Sequence, residues 1–149
     1  MNGKTIGVDY GDVRTGIASS DLLGLMASAV GTIKPGGMRN TAVEVAKIAR
    51  EQNAVGIVVG LPKNMDGSEG PRADVVRAFV DLLKAETDLP IFYEDERMTT
   101  MEANRFLSAT ETFGKKRKEK VDALSAELIL QSWLDRKRRE EKADEAKSG

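Results

Sequence analysis

Acidic side chains are the main candidates for chemistry in this sequence, because its 149 residues include neither histidine nor cysteine. That composition excludes a Ser-His-Asp triad, a thiolate nucleophile and an ordinary zinc site. Hard divalent cations such as Mg²⁺ and Mn²⁺ prefer carboxylate oxygens, and two such ions about 4 Å apart can support phosphoryl transfer without histidine. The carboxylates that could converge on a metal lie in three places, at Asp9, at Glu94-Asp95-Glu96 and at Asp122.

Asp9 ends a short run of β-favouring residues, Thr5–Asp9, which predicts a first strand that leads into a turn. Side chains alternate along a strand, so Gly7 shares a face with Asp9 and leaves room beside the carboxylate. Aspartate also commonly begins a turn, here the one before Gly11. On position alone, a functional and a turn-forming role for Asp9 both stay open.

The acidic triplet follows the fifth predicted strand, residues 89–93. Three adjacent carboxylates repel each other, which disfavours them without a cation or a role. Alternation puts Glu94 and Glu96 on one face and Asp95 on the other. The alternative interpretation is a solvated loop with Arg97 as counterion, and the triplet alone does not decide between the two.

Asp122 is expected in the first turn of a last helix over residues 119–136, where the helix dipole favours a negative charge. A purely stabilising role is therefore one interpretation. At helical spacing, however, Asp122 shares a face with Ala126, Ile129 and Trp133, which should pack on the sheet. An acidic residue at the top of this stripe would point along the sheet surface, so the three carboxylates could meet near the strand ends.

A basic segment precedes Asp122, with five positive charges in the six residues 115–120. Taken alone it is typical of a solvated charge run. Beside a site that cuts phosphodiesters it would instead bind the nucleic-acid backbone, and the net charge of −1 requires such a local patch. The candidate phosphate contacts are Arg14, Arg97, Lys115, Lys116, Arg117 and Lys118.

Hydrophobic periodicity predicts the elements that must position these side chains: three strands, helix, strand, helix, strand and two helices. This order favours an α/β domain, and the opening hairpin makes its five-stranded sheet mixed, with helices flanking it. Besides the elements given above, strands are expected at 14–20, 25–33 and 55–59. Helices are expected from an Asn40 cap to Gln52, from Pro71 onward, and at 99–108 after a Thr99–Glu102 capping box.

Residues 1–138 are expected to form a single domain, and residues 139–149 a charged, disordered tail. The chain has no secretory segment and no apolar run of transmembrane length. Together with the absence of cysteine, this favours a cytoplasmic location and no membrane partner.

Several short motifs follow one another in a single order from about Lys4 to Leu134. They are Gly7-Val8-Asp9-Tyr10-Gly11 with Arg14-Thr15-Gly16-Ile17-Ala18, Ser20-Asp21, Val59-Gly60-Leu61-Pro62 with Asp66-Gly67-Ser68, Asp95-Glu96-Arg97 with Thr99-Thr100, and Asp122-Ala123-Leu124-Ser125-Ala126. Each motif is weak alone. The ordered set resembles the YqgF (RuvX) family of bacterial nucleases that are similar to Holliday junction resolvases.

The resemblance implies a ribonuclease H-like fold, dependence on Mg²⁺ or Mn²⁺, and a role in maturing the 5′ end of precursor 16S rRNA. Similarity to RuvC-type enzymes implies branched DNA, such as Holliday junctions, as a further substrate. Precursor rRNA or structured DNA would be the partner, with ribosome association. The resemblance maps catalytic and metal-binding carboxylates onto Asp9, Glu96 and Asp122, with Asp95 as a further candidate ligand. Glu119 stands where RuvC-like enzymes carry another acidic residue, and its role stays open.

Two other classes of protein remain open from the sequence. Actin- and hexokinase-type ATP-binding domains also open with a strand, an acidic residue and glycines, much like Asp9-Tyr10-Gly11. Stabilisation by micromolar ATP with magnesium would indicate that class, because a ligand that binds only the folded state raises stability. The other is a non-catalytic RNA- or ribosome-associated module, which metal-dependent cleavage by the purified protein would exclude.

Neutralising Lys116, Arg117 and Lys118 together should weaken binding of many nucleic-acid sequences alike, because phosphate contacts carry no sequence information. The slope of log affinity against log salt concentration should flatten by up to about one unit for each lost contact. Anisotropy titrations of labelled RNA at several salt concentrations measure this slope. A triple variant with the wild-type slope would show that the segment is only a solvated charged surface.

Overall fold

The computed structural model describes residues 3–34, 36–97 and 114–148, with side chains at 3–34, 36–97 and 123–145. The helix expected at 99–108, with its Thr99–Glu102 capping box, lies outside the described residues. The elements are strands β1 (Thr5–Asp9), β2 (Thr15–Ser20) and β3 (Ala27–Ile33), helix α1 (Met38–Glu51), strand β4 (Gly56–Leu61), helix α2 (Pro71–Glu86), strand β5 (Ile91–Asp95) and helix α3 (Gly114–Ser148).

The five strands form one mixed sheet in the order β3-β2-β1-β4-β5. β2 pairs antiparallel with both β1 and β3, whereas β4 pairs parallel with both β1 and β5. The expected opening hairpin and mixed sheet are thus confirmed. Because β1, β4 and β5 run in the same direction, their carboxyl ends meet at one edge, which is where open α/β sheets hold their sites.

Helices cover both faces of the sheet, so that the sheet separates two layers of the core. On one face α1 and α2 pack over residues such as Ile6 and Ile57, and on the other α3 packs over Val58. All six residues of β4 are buried, as its continuous apolar run predicts for a strand covered on both sides. None of the described helices is long and apolar enough to span a membrane.

Gly7 sets how closely α3 approaches the middle of β1. A Cβ atom at Gly7 would lie 2.7 Å from the Cβ of Leu130 and 2.9 Å from the backbone oxygen of Ala126. These distances are far inside van der Waals contact, so a larger residue would force the helix away from the sheet. The room expected beside Asp9 on this face is therefore taken up by the backbone of α3.

Two of the expected helix starts differ from the structure. The first helix begins at Met38 after Gly37, so the expected Asn40 cap is wrong; the Asn40 side-chain amide instead donates to the Gly36 carbonyl at 2.6 Å. The last helix begins at Gly114 rather than at residue 119. Asp122 therefore lies inside α3, and the first-turn dipole interaction expected for it is absent. Pro71 does occupy the first turn of α2, as predicted.

The ends of two elements also extend further than expected. β5 continues to Asp95, so Glu94 and Asp95 belong to the strand instead of following it. α3 continues to Ser148 through the charged stretch that was expected to form a disordered tail. The division of the chain into a domain of residues 1–138 and a tail stays a prediction.

Trp133 should be a main anchor of α3, because its side chain is 3% exposed and its ring centroid lies 5.1 Å from that of Phe92. Trp133→Ala should lower the free energy of unfolding by about 3–5 kcal/mol, the usual cost of emptying an aromatic core position. Urea unfolding measures the change. Lys142→Ala, on the exposed part of the same helix, is the control and should change stability by less than about 0.5 kcal/mol. A Trp133→Ala protein as stable as this control would show that the helix is anchored elsewhere.

Candidate active site

Two of the three predicted carboxylates meet at the carboxyl edge of the sheet. Asp9 is the last residue of β1, and Glu96 follows β5 directly, with β4 between the two strands. Their side chains are hydrogen-bonded to each other. Two ionised carboxylates in contact repel each other, and a shared proton or a bound cation would relieve that repulsion.

Gly60 provides the space in which the Glu96 carboxylate lies. A Cβ atom on Gly60 would stand 2.5 Å from Glu96 Oε2 and 2.5 Å from Ile129 Cδ1. Glu96 thus reaches from the end of β5 across the backbone of β4, beneath Ile129 of α3, toward Asp9. A side chain at position 60 would have to displace the Glu96 carboxylate or the end of the Ile129 side chain, so this glycine shapes the site in a way that composition alone did not indicate.

The surroundings of Glu96 shift its pKa above the ordinary value. Burial raises the pKa of Glu96, and the Asp95 charge adds to this rise. The positive charge of Arg72 and the hydrogen bond with Asp9 act in the opposite direction but only partly offset it. A carboxyl group with a raised pKa beside a second carboxyl group is typical of functional sites.

Asp95 points away from this pair and is held by Arg97. The Arg97 Nε donates to Asp95 Oδ2 at 2.8 Å, and its backbone N–H donates to Oδ1 at 3.0 Å. Burial alone would raise the pKa of Asp95, but these hydrogen bonds outweigh it and hold the pKa below its ordinary value. The counterion role considered for Arg97 is confirmed, whereas metal binding by Asp95 and phosphate binding by Arg97 stay predictions.

Glu94 has a structural role that the sequence did not reveal. Its carboxylate is almost fully buried on the α3 side of β5, the same face to which alternation assigned Glu96. The Ser132 hydroxyl donates to Glu94 Oε2 at 2.7 Å, and the Arg136 guanidinium forms an ion pair with Oε1. These contacts attach α3 to the strand that ends at the site. Ser132 and Arg136 lie one turn apart on the helix, but their partner could not be identified from spacing.

The position of Asp122 is defined for its backbone, which belongs to α3. Trp133 and Thr5 line the same small cavity, while Ala126 lies over Gly7. Toward its N-terminus α3 therefore advances along β1 in the direction of Asp9. Among the residues whose side chains are described, which do not include Asp122, no three acidic groups are close enough together to hold a metal ion. The convergence of Asp122 with Asp9 and Glu96 stays a prediction.

Two arginines belong to or contact the turn that follows Asp9. Arg14 is half-buried in the turn after β1 and lines a small cavity with Gly11. Arg72, in the first turn of α2, was missed: it pairs with Asp12 at 3.0 Å and donates to the Tyr10 carbonyl at 3.5 Å. The side chains of Lys115, Lys116, Arg117 and Lys118 lie outside the described residues, so their phosphate contacts stay predictions.

The strand order and the helices on both faces define a ribonuclease H-like fold, and comparisons with solved structures agree. Thermus thermophilus RuvC in complex with a Holliday junction substrate has a TM-score of 0.52 at 13% identity, with 85% of this chain and 92% of that chain covered. The fowlpox virus resolvase in complex with Holliday junction DNA has a TM-score of 0.52 at 11% identity, covering 89% and 97%. At these identities the likeness establishes the fold alone.

Sequence comparison identifies the family. A sequence-family model described as "RuvX: Holliday junction resolvase" matches residues 3–136, so the chain belongs to the RuvX family. A relative from Clostridioides difficile (strain 630), named "Putative pre-16S rRNA nuclease", is 42% identical over 135 residues, 91% of this chain and 96% of its own. A relative of the same name from Cereibacter sphaeroides is 44% identical over 135 residues, 91% of this chain and 84% of its own.

Gly60→Ala tests whether the glycine makes room for Glu96. The added methyl group must displace either Glu96 or Ile129, and overpacking of this kind costs about 1–3 kcal/mol. Gly56→Ala is the matched control on the same strand, because its Cβ would meet nothing closer than Phe92 Cε2 at 3.5 Å. Urea unfolding should show a clear loss for position 60 and less than about 1 kcal/mol for position 56. Equal effects at both positions would contradict this description of the site.

Proposed function

We propose that the chain is a divalent-metal-dependent nuclease that hydrolyses phosphodiester bonds at the 5′ end of precursor 16S rRNA. The observation that carries the proposal is the contact between Asp9 and Glu96, assembled from two non-adjacent strands in a ribonuclease H-like fold. The names of the relatives favour precursor rRNA as substrate, and the family description favours branched DNA as a second one. The proposal includes a cytoplasmic location and action on ribosomal precursors.

The donor set fits Mg²⁺ or Mn²⁺. The two carboxyl groups offer hard oxygen ligands, and Gly60 keeps side-chain volume away from them. Asp122 would complete the set from α3, while Asp95 and Glu119 are further candidates. Bound there, the cation would supply Lewis-acid stabilisation of charge on the phosphate group and a more acidic water molecule.

The protein itself would contribute position and charge. β1 ends at Asp9 and β5 leads directly into Glu96, while Ile129 of α3 lies on the same side of Gly60 as the Glu96 carboxylate. The Glu94 contacts with Ser132 and Arg136 attach α3, the helix that carries Asp122, to β5. Arg14 and the basic segment 115–118 would bind phosphates of the substrate backbone, which positions the strand without reading its sequence.

A cleavage assay on a panel of nucleic acids tests the proposed function. The panel contains the 5′ leader of precursor 16S rRNA, a four-way DNA junction, single strands and plain duplex, each with Mg²⁺, Mn²⁺ or EDTA. We expect cleavage of the rRNA leader with either metal and none in EDTA. Cleavage of the junction alone would assign the site to DNA. No metal-dependent cleavage of any substrate would contradict the proposal, and ATP-dependent stabilisation would replace it with the ATP-binding class.

Asp9→Asn should abolish cleavage and weaken Mn²⁺ binding without destabilising the apoprotein. Asparagine keeps the size of the side chain, removes one of two crowded negative charges, and can donate a hydrogen bond to Glu96. Calorimetry with Mn²⁺, melting in EDTA and the cleavage rate measure the three effects. Asp21→Ala is the control for a structural aspartate, because Asp21 Oδ1 accepts a 2.7 Å hydrogen bond from Leu25 N in the β2–β3 turn. It should lower stability and leave cleavage by the folded protein intact. An Asp9→Asn protein that still cleaves would refute the mechanism.

A further inference from the structure

Arg72 contacts the turn that follows Asp9, and among the described residues it uses only part of its hydrogen-bonding capacity. One terminal nitrogen contacts Asp12 Oδ2 at 3.0 Å, and the other reaches the Tyr10 carbonyl at 3.5 Å, the outer limit of a hydrogen bond. A guanidinium has five N–H donors, and Arg72 Nε has no partner among the described residues. Since Tyr10 follows Asp9 in the chain, this cation is one residue away from the proposed site.

We propose that Arg72 is a substrate-binding residue, whose guanidinium exchanges Asp12 for a phosphate group of the nucleic acid next to the scissile bond. This inference rests on the proposed nuclease function and adds a contact that the sequence motifs did not indicate. Phosphate suits the site because a guanidinium binds its oxygens in a bidentate manner.

The ion pair between Arg72 and Asp12 can be exchanged at little cost. The two side chains are 51% and 72% exposed, and exposed ion pairs contribute little to stability. Arg97, which follows Glu96 in the chain, is different: it already donates through Nε and a terminal nitrogen to Asp95 and through the other terminal nitrogen to the Met65 carbonyl. Arg72 is therefore the more available of the two cations.

The negative charge of the carboxylate pair explains why substrate binding would need this exchange. Asp9 and Glu96 repel an approaching polyanion, so a phosphate group needs a nearby cation to enter. Asp12 would hold the guanidinium next to the site until the substrate arrives, and its own carboxylate would then be released to solvent.

Breaking the same ion pair from its two sides tests the proposal. The probe is a labelled RNA with the 5′ leader sequence of precursor 16S rRNA, titrated by anisotropy in EDTA. Arg72→Ala should weaken binding about fivefold to tenfold and flatten the salt slope by about one unit, because a phosphate contact is lost. Asp12→Asn should tighten binding about twofold to threefold, because the guanidinium no longer has a competing partner. Arg72→Lys should retain part of the affinity, since a point charge remains.

Arg77→Ala is the matched control, on the same helix and with the same change in net charge. Arg77 binds Glu69 through two hydrogen bonds of 2.8 and 2.9 Å and lies over the Tyr93 ring, where the structure assigns it a structural role. With Mn²⁺ present, Arg72→Ala should lower kcat/KM for cleavage about 10- to 100-fold. Arg77→Ala should lower it far less.

Four results would overturn the proposal. Equal weakening of RNA binding by Arg72→Ala and Asp12→Asn would show that the ion pair is structural. If Asp12→Asn tightens RNA binding equally in an Arg72→Ala background, the substitution acts only through net charge. If the wild-type protein cleaves and Arg72→Ala has the same kcat/KM as Arg77→Ala, this inference is refuted and the nuclease function is not. Wild-type protein that neither binds nor cleaves any probe would remove the proposed function and this inference with it.

Discussion

The contact between Asp9 and Glu96 is the constraint on which the rest of the site depends. The sheet order places β4 between the strands that carry these residues, so Glu96 must cross β4 to reach Asp9. That crossing is possible because position 60 has no side chain. Two like charges at this distance are unfavourable unless a proton or a cation lies between them. The topology together with one glycine thus brings the two carboxyl groups into contact, and the proposed cation site is built on this contact.

Helix α3 covers the site from one side. Its close approach to the sheet depends, like the crossing of Glu96, on strand positions that have no side chain. Gly7 and Gly60 both face this helix, and a Cβ at either would collide with it. Glu94 then attaches the helix to β5 through Ser132 and Arg136. A buried carboxylate requires such partners, since a charge left alone in the interior is strongly destabilising. The residues that hold α3 in place thereby determine where its N-terminal half, with Asp122, can lie.

Local patterns predicted much of the fold and part of the site. The strand Thr5–Asp9, the buried run of β4, the helix start at Pro71 and the common face of Glu94 and Glu96 follow from alternation, apolar runs and proline geometry. Features that join distant segments could not be predicted. Arg72 and Asp12 are 60 residues apart, so no spacing rule links them. The lysine-rich segment after Gly114 has the composition of a loop, although it is helical. Glu94 has the sequence context of a solvated residue, and only the structure shows that Arg136 neutralises it.

The central claim is that Asp9 and Glu96 act as one cation-binding unit. A double-mutant cycle on the stabilisation by Mn²⁺ tests it most directly, with the free energy of unfolding measured with and without the metal for wild type, Asp9→Asn, Glu96→Gln and the double variant. A ligand that binds only the folded state stabilises it by about 2.7 kcal/mol at 100 times its Kd. We predict that wild type gains this stability, that either single variant loses most of it, and that the double variant loses no more. Losses that add independently, or variants that Mn²⁺ stabilises as much as wild type, would contradict the claim.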